Sequence, residues 1–314
     1  MTPLISKRHR LKFYLTIILG TLVYLGLGIA LLIISFRHEN GSAMKLKEQL
    51  MPLFGIGCLL LAFYTVYKYY KNAPRIRMDD LSISFNDQTF SFSDLECIEL
   101  TGKRNFPYLT TFPMEATTLQ FKDGQTKYIF DDMYENSWKL KSFLKNVVID
   151  KKELALITNP PIDNNSVATD FYETFKGNQI TSLRGISLWG LIGLFAYMII
   201  NNERPNTVGL TMIFLTFSTF LFVLFSYQMH YFQISDEYFL VRNHNFFWKK
   251  KVYNLSDVEE VVFETQGKMP NCLRVITKDF RNELYPAGTL RDKTWLELKD
   301  RLEAHDIKVR NECI

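Results

Sequence analysis

An uncharged apolar run near the start of the chain restricts the fold more than any other feature of the sequence. Residues Phe13 to Phe36 include no Asp, Glu, Lys, Arg or His. As an α-helix this run is about 36 Å long, enough to cross the roughly 30 Å hydrocarbon core of a bilayer. It is too long for the apolar core of a signal peptide, and no clear small-x-small cleavage site follows it. The sequence therefore predicts a transmembrane helix.

Three later runs are also free of charged residues: Met51 to Tyr67, Gly185 to Ile200 and Thr207 to Tyr227. Gly185 to Ile200 is the shortest of the four runs. Only a short turn separates it from Thr207 to Tyr227, so these two runs are expected to form a hairpin together. The four runs predict an integral membrane protein with two transmembrane hairpins, at residues 13–70 and 185–227.

Basic residues flank the first hairpin on one side. The first twelve residues contain Lys7, Arg8, Arg10 and Lys12 but no acidic side chain, and the second run is followed by Lys68, Lys71, Arg75 and Arg77. Segments with an excess of Lys and Arg stay in the cytoplasm. We therefore expect residues 1–12 to form a basic cytoplasmic tail in the inner (plasma) membrane. Both termini and both soluble domains should be cytoplasmic.

The two halves of the chain show signs of an internal duplication. Ser93 to Leu100 parallels Ser256 to Phe263, and Trp138 to Leu144 parallels Trp295 to Arg301. In each half of the chain, the two segments follow an apolar hairpin in the same order. The first copy is longer between these landmarks, and residues 103–116 are the expected place of an extra loop.

Each copy contains a soluble region in which strand patterns are followed by one helix. In the first, residues 118–121 and 126–130 flank an Asp123-Gly124 turn, and residues 134–148 change to helical spacing. In the second, the strands include residues 247–253 and the closing helix spans residues 292–304. The predicted domains are residues 75–150 and 231–310. Residues 151–182 are expected to be a linker. Within it, residues 171–175 are either part of a flexible tether or a short interfacial helix.

This order of elements, with a tryptophan in each closing helix (Trp138 and Trp295), resembles the bacterial pleckstrin-homology-like (PH-like) domain. In several membrane-protein families such a domain directly follows a two-helix hairpin. The resemblance implies an α+β membrane protein with two small antiparallel sheets, each capped by a C-terminal helix. It implies little about the ligand. The two tryptophans are expected to fill the domain cores.

Charge and motifs narrow the possible functions. Residues 75–153 carry 11 basic and 13 acidic side chains, and residues 231–314 carry 14 of each, so neither soluble region has the basic character of a nucleic-acid-binding domain. No catalytic or cofactor motif is recognisable, and the four cysteines lack metal-ligand spacing. We therefore expect no enzyme activity, cofactor, metal site or nucleic-acid partner. The carboxylate pair Asp131-Asp132 is expected to cap the first closing helix.

The predicted spans contain no ionisable residue, which makes a transporter or channel subunit a less favoured alternative. Small residues in them, such as Gly20, Gly55 and Gly57, are expected to form helix-packing surfaces. The favoured function is a non-enzymatic one, in which the cytoplasmic domains mediate protein assembly or regulation at the membrane. The expected partners are the lipid bilayer and another protein or a second copy of this chain.

One segment of the second domain is a candidate membrane or lipid contact: Phe246, Phe247, Trp248, Lys249, Lys250 and Lys251. Aromatic rings that enter the interface beside lysines that meet headgroups would form such a contact. The other interpretation is a strand whose aromatic side chains pack inward and whose lysines are solvated. The first copy has no such lysine run, so any lipid contact is expected to be asymmetric. Headgroup binding by the second domain is the alternative function.

Overall fold

A computed structural model describes residues 3–36, 46–108, 111–152, 162–201, 207–267 and 269–314. The chain divides into two compact units, Met1–Leu156 and Ile157–Ile314. Both units combine long apolar helices with small sheets that are largely antiparallel, so the protein belongs to the α+β class. This part of the prediction is confirmed.

Two long helices form the apolar part of the first unit. A π-helical turn, Arg10–Leu15, leads into α1 (Thr16–Phe36), and α2 (Leu46–Asn72) packs along it. Both are long and apolar enough to cross a membrane. α2 begins at Leu46, so Pro52 lies inside the helix and removes one of its backbone donors.

The first sheet of this unit joins residues from both sides of the helical hairpin. Its order is β1 (Leu4–Ile5), β2 (Ile76–Met78), β3 (Ser82–Phe85) and β4 (Gln88–Ser91), all antiparallel. β1 precedes the hairpin and β2 follows it. Residues 1–12, expected to be a basic tail, thus include a strand of the domain. Lys12 Nζ also donates to Asp132 Oδ1 at 2.6 Å.

The second sheet is built around a long strand. β7 (Phe112–Phe121) pairs with β5 (Leu95–Glu99), β6 (Lys103–Phe106) and β8 (Thr126–Phe130). The predicted turn at Gly124 is present, with φ of 81°. Residues 103–116, expected to be a loop, instead contribute β6 and the start of β7. Phe106 and Met114 are buried there, which explains the strand pairing.

A short helix closes the first unit. α3 (Ser137–Phe143) continues into a π-helical turn, Leu144–Ile149, and buries Leu140, Phe143 and Leu144. Trp138 is only half-buried and lies outside the core, so the expectation that it fills the core is wrong. Because α3 begins at Ser137, Asp131 and Asp132 do not cap it; they lie in a preceding 3-10 turn.

The second unit begins before its own helical hairpin. It contains α4 (Asn164–Thr169), β9 (Glu173–Phe175), α5 (Leu183–Ile200) and α6 (Thr207–Ser226). α5 and α6 are also long and apolar enough to cross a membrane. The interfacial helix considered for residues 171–175 is wrong, because Glu173–Phe175 is a strand. Residues 153–161 of the predicted linker lie outside the described residues.

The sheets of the second unit follow the hairpin. The first has the order β12 (Lys250–Asn254), β11 (Tyr238–Asn243), β10 (His230–Ile234) and β9. The second contains β13 (Val258–Thr265), β14 (Asn271–Thr277), β15 (Asn282–Pro286) and β16 (Lys308–Asn311) in the order β15-β14-β13-β16. β16 runs parallel to β13 and follows α7 (Asp292–Ala304). On α7, Trp295, Leu298 and Leu302 are fully buried, so Trp295 fills the core as predicted.

The two units share more than their order of elements. In each, a short strand before the hairpin pairs with the first strand after it, as β1 with β2 and β9 with β10. A 3-10 turn then precedes β5 and β13, and both strands have a register shift near their first residue, at Leu95/Cys97 and Val258/Glu260. Among the described residues of the first unit, no strand corresponds to β16.

Candidate functional site

The candidate segment lies at the tip of a hairpin in the second unit. Phe246 to Lys249 form the turn between β11 and β12, and Lys250 and Lys251 begin β12. β12 was predicted to start at Phe247, but the strand begins three residues later, since Lys250 is the first residue opposite β11, at Arg242. The aromatic residues are therefore in the turn and not in the sheet.

Hydrogen bonds fix this turn to the end of an apolar helix. Asn243 Nδ2 donates to the Ser226 carbonyl oxygen at 2.7 Å, and Asn245 Nδ2 donates to Ser226 Oγ at 2.6 Å. Ser226 is the last residue of α6 and is fully buried. The His244 backbone N–H donates to the Met229 carbonyl at 3.0 Å. The tip cannot move far from the helix end without breaking these bonds.

The same asparagine shapes the turn. Asn243 Oδ1 accepts hydrogen bonds from the backbone N–H groups of Asn245 at 3.0 Å and Phe246 at 2.9 Å. Asparagine often closes turns in this way, because its side chain reaches backbone donors two and three residues on. Asn243 thus determines both the shape of the tip and its attachment to α6.

The aromatic side chains face outward. Phe247 is 80% exposed and Trp248 is 64% exposed. The Trp248 ring lies 5.4 Å from Phe246 and 5.0 Å from Phe247, and the Phe246 ring contacts Phe222 of α6 edge-on at 6.3 Å. The interpretation in which the aromatic residues pack inward is therefore wrong for Phe247 and Trp248, whereas Phe246 is half-buried against Phe222.

The contact with Phe222 shows which part of α6 the tip lies beside. Phe222 lies about one helical turn, or roughly 6 Å, before Ser226. If α6 crosses a bilayer, its last turn lies where hydrocarbon meets headgroups, and aromatic side chains are enriched at that level. The exposed rings of Phe247 and Trp248 thus lie beside the end of a candidate span.

The three lysines differ in their surroundings. Lys251 Nζ donates to Glu283 Oε1 at 2.6 Å, so its charge is already paired. Lys249 Nζ lies 5.0 Å from the centre of the Phe246 ring. Burial, and then the nearby Arg242, lowers the pKa of Lys250. Lys249 and Lys250 are the two exposed lysines that can approach an anionic headgroup without giving up an ion pair to Glu283.

Two histidines lie behind the turn. His230 Nδ1 is 2.9 Å from the Pro286 carbonyl oxygen, and His244 Nε2 is 3.3 Å from Thr289 Oγ1. Burial, followed by the charge of Lys176 and the proximity of His230, lowers the pKa of His244 to about 4. His244 is thus neutral at neutral pH and adds no positive charge to the tip.

The corresponding turn of the first unit has a different chemistry. Asn86 and Asp87 connect β3 to β4, and Asn86 adopts φ of 52°, as tight hairpin turns require. Asn86 Oδ1 accepts from the Arg75 backbone N–H at 2.8 Å. The turn has no aromatic residue and no lysine, so it lacks the chemistry of the Phe246–Lys251 tip.

No protein-family model matches the chain, and no curated protein is significantly similar to it. Within the described residues, no group of three or more His, Cys, Asp or Glu side chains is placed to hold a metal ion. The interpretation of the site therefore rests on its geometry.

Proposed function

We propose that this protein is a non-enzymatic, multi-pass membrane protein whose two PH-like domains mediate protein assembly or regulation at the cytoplasmic face. Four long apolar helices indicate a membrane protein. The observation that supports the assembly role most strongly is the pairing of β1 with β2 and of β9 with β10, across the two ends of each hairpin.

This pairing holds each soluble domain at a fixed angle to its own hairpin. In the first unit, Phe13 from the start of the helical hairpin is fully buried and its ring lies 6.0 Å from that of Tyr69, near the end of α2. Tyr69 in turn lies 5.4 Å from Phe106 of β6. The base of the hairpin is therefore part of the domain core. A rigidly oriented surface loses less conformational entropy when a partner binds, which suits an assembly platform.

The internal duplication and the PH-like fold are part of this proposal. The shared strand order of the first sheet in each unit, the shared 3-10 turn and the shared register shift support a common origin of the two units. A cytoplasmic orientation is supported by the basic residues that end α2. Lys68 Nζ lies 5.3 Å from the Tyr64 ring, and Lys71 Nζ lies 5.5 Å from the Tyr67 ring, as in an interfacial belt.

The experiment is a native mass measurement. The full-length chain is extracted from its own cells in mild detergent, and the mass of the intact particle is determined together with its protein and lipid content. We expect a reproducible complex of fixed stoichiometry, with a second copy or with another protein. A monomer that carries only lipid would contradict the assembly role.

Lipid contact by Phe246–Lys251 is the second candidate function, and the position of this tip beside α6 favours it. The full chain is reconstituted in nanodiscs with brominated lipid, which quenches nearby tryptophans. The quenching lost when Trp248→Phe is introduced reports the depth of the tip. We expect Trp248 to be quenched, and more strongly with anionic than with zwitterionic lipid.

Charge variants separate the headgroup contact from general insertion. Lys249→Gln with Lys250→Gln should reduce the difference between anionic and zwitterionic lipid. Lys293→Gln is the matched control, because its side chain is 88% exposed and lies on α7. If Trp248 is not quenched in any lipid, the lipid contact is wrong.

A further inference from the structure

A cavity of the first unit lies beside the end of α2. Its volume is about 470 Å³, within the roughly 300–1,000 Å³ range of small-ligand pockets. Its walls come from the last residues of α2, from the turn between β3 and β4, from β6 and from β8. Lys71 and Lys127 are the two basic lining residues and Asp87 is the one acidic lining residue, so two positive charges face one negative charge. The cavity therefore favours an anion.

Neutral groups hold Lys127 in this cavity. Its Nζ donates to Gln88 Oε1 at 2.9 Å and lies 5.1 Å from the centre of the Phe90 ring. The side chain is half-buried. An amide oxygen and the face of an aromatic ring attract an ammonium group but do not neutralise its charge. The ammonium, which has three N–H donors, can therefore also bind an anion in the cavity.

The second unit has an ion pair at the same two positions. Gln88 and Lys251 each lie four residues before the 3-10 turn of their unit. Lys127 and Glu283 occupy the same place in β8 and β15, counted from the register shift of the neighbouring strands. Lys251 Nζ donates to Glu283 Oε1 at 2.6 Å, and the cavity beside this pair is only about 130 Å³. The second unit thus neutralises its lysine internally, whereas the first unit places a neutral amide opposite its lysine and has the larger cavity.

Neutral polar groups border the same cavity. Asn72 Nδ2 donates to the Pro107 carbonyl oxygen at 2.6 Å, and Asn86 Oδ1 accepts from the Arg75 backbone N–H at 2.8 Å. These bonds fix the end of α2 and the turn between β3 and β4, which both line the cavity. Lys71 lies in the last turn of α2, and the apolar part of α2 is a candidate span. In a bilayer, lipid headgroups lie at the level of such a helix end.

We propose that this cavity binds a phosphate ester, with Lys127 and Lys71 as the residues that contact the phosphate oxygens. Charge-assisted hydrogen bonds from lysine suit a phosphate, and the neighbouring amide side chains suit hydroxyl groups of the same ligand. Because the cavity lies beside the end of a candidate span, the headgroup of an anionic phospholipid is the expected source of the phosphate. A soluble phosphate ester is the other source. The site is in the first unit, so it goes beyond the proposed function and does not depend on the Phe246–Lys251 tip.

The test measures the affinity of the full-length chain in mild nonionic detergent for three probes. These are dioctanoyl phosphatidylglycerol, dioctanoyl phosphatidylcholine and glycerol 3-phosphate. We expect phosphatidylglycerol to bind most tightly. Lys127→Gln should weaken its binding about threefold to tenfold, and Lys71→Gln, at a more exposed position, about twofold to threefold. Lys122→Gln is the matched control and should leave the affinity unchanged, because Lys122 Nζ donates to the Ser93 carbonyl oxygen and the residue does not line the cavity.

A double variant transfers the ion pair of the second unit to the first. Gln88→Lys with Lys127→Glu places the lysine on β4 and the carboxylate on β8, as Lys251 and Glu283 are placed in the second unit. We expect this variant to keep the melting temperature of the unmodified chain and to lose phosphatidylglycerol binding. Lys127→Arg keeps the positive charge and should bind within about twofold of the unmodified chain. A folded double variant that binds as tightly as the unmodified chain would overturn the proposal.

The probes also distinguish the two sources of the phosphate. Binding of phosphatidylglycerol alone that depends on Lys127 supports a lipid headgroup as the ligand. Binding of glycerol 3-phosphate that depends on Lys127 supports the same phosphate site with a soluble ester as a ligand. If no probe binds, or if Lys127→Gln changes the affinity for none of them, the proposal is wrong. The native mass measurement is independent of these results: a monomeric protein with a Lys127-dependent site would reject the assembly function alone.

Discussion

The close approach of α1 and α2 leads to a matched pair of substitutions. A Cβ atom added at Gly28 would lie 2.9 Å from the Gly55 carbonyl oxygen and 2.9 Å from Leu59 Cδ2. A Cβ added at Gly26, two residues earlier in the same helix, would meet nothing within 4 Å. Gly28→Ala therefore forces the two helices apart by several tenths of an ångström, whereas Gly26→Ala does not.

The expected effects have opposite signs. Overpacking of this kind costs about 1–3 kcal/mol, while alanine in place of an uncrowded helical glycine stabilises by up to about 1 kcal/mol. The two variants should therefore differ by about 1–4 kcal/mol, or roughly 2–10 °C in melting temperature. Gly55→Ala and Gly57→Ala form a second pair on α2. A Cβ atom at Gly55 would meet Leu32 and Gly28, whereas one at Gly57 would meet nothing within 4 Å.

The assay is thermal denaturation of the full-length chain in mild detergent, followed by size-exclusion chromatography of the protein that remains folded. Gly26→Ala and Gly57→Ala control for helix propensity and for the handling of the variants. Equal melting temperatures for Gly26→Ala and Gly28→Ala would refute the close α1–α2 contact as a source of stability.

Two further predictions concern groups in the soluble parts. Because the folded pKa of His244 is lowered from 6.5 to about 4, the unfolded chain takes up a proton between these pH values that the folded chain does not. Because solvent partly screens this half-buried imidazole, stability should fall by about 1–2 kcal/mol as the pH is lowered from 6.5 to 4, and thermal denaturation of His244→Gln should show a smaller fall. Lys141 and Asp131 form a fully buried ion pair at 2.6 Å. Lys141→Met alone should cost about 3–5 kcal/mol, while Lys141→Met with Asp131→Leu should recover most of that loss; no recovery in the double variant would contradict this reasoning.

The apolar hairpins and most of the later strands could be predicted from the sequence because they leave long or alternating patterns. Trp295 was correctly expected in a core, since α7 has a clear helical stripe of buried residues. α3 is shorter and gives a weaker pattern, so Trp138 was assigned to the core although it is half-buried and lies outside the core.

Other features depend on contacts between distant residues and leave no local pattern. β1 and β9 have only 2 and 3 residues, and each becomes a strand because a partner across the hairpin pairs with it. Lys141 looks like a solvated helix residue until Asp131 is placed beside it. In the candidate site, the sequence indicated the aromatic residues and lysines. It did not indicate Asn243 and Asn245, which bond to Ser226 over 17 and 19 positions of the chain.

Thiol labelling from the two sides of the membrane would decide whether both soluble units lie in the cytoplasm, on which the proposed function depends. Cys97 is exposed in the first unit, and Lys293→Cys places an exposed thiol in the second, away from the Phe246–Lys251 tip. We expect a membrane-impermeant maleimide to label neither site in intact cells and both sites in inside-out vesicles. Labelling of either site in intact cells would contradict four spans with both domains on the cytoplasmic side.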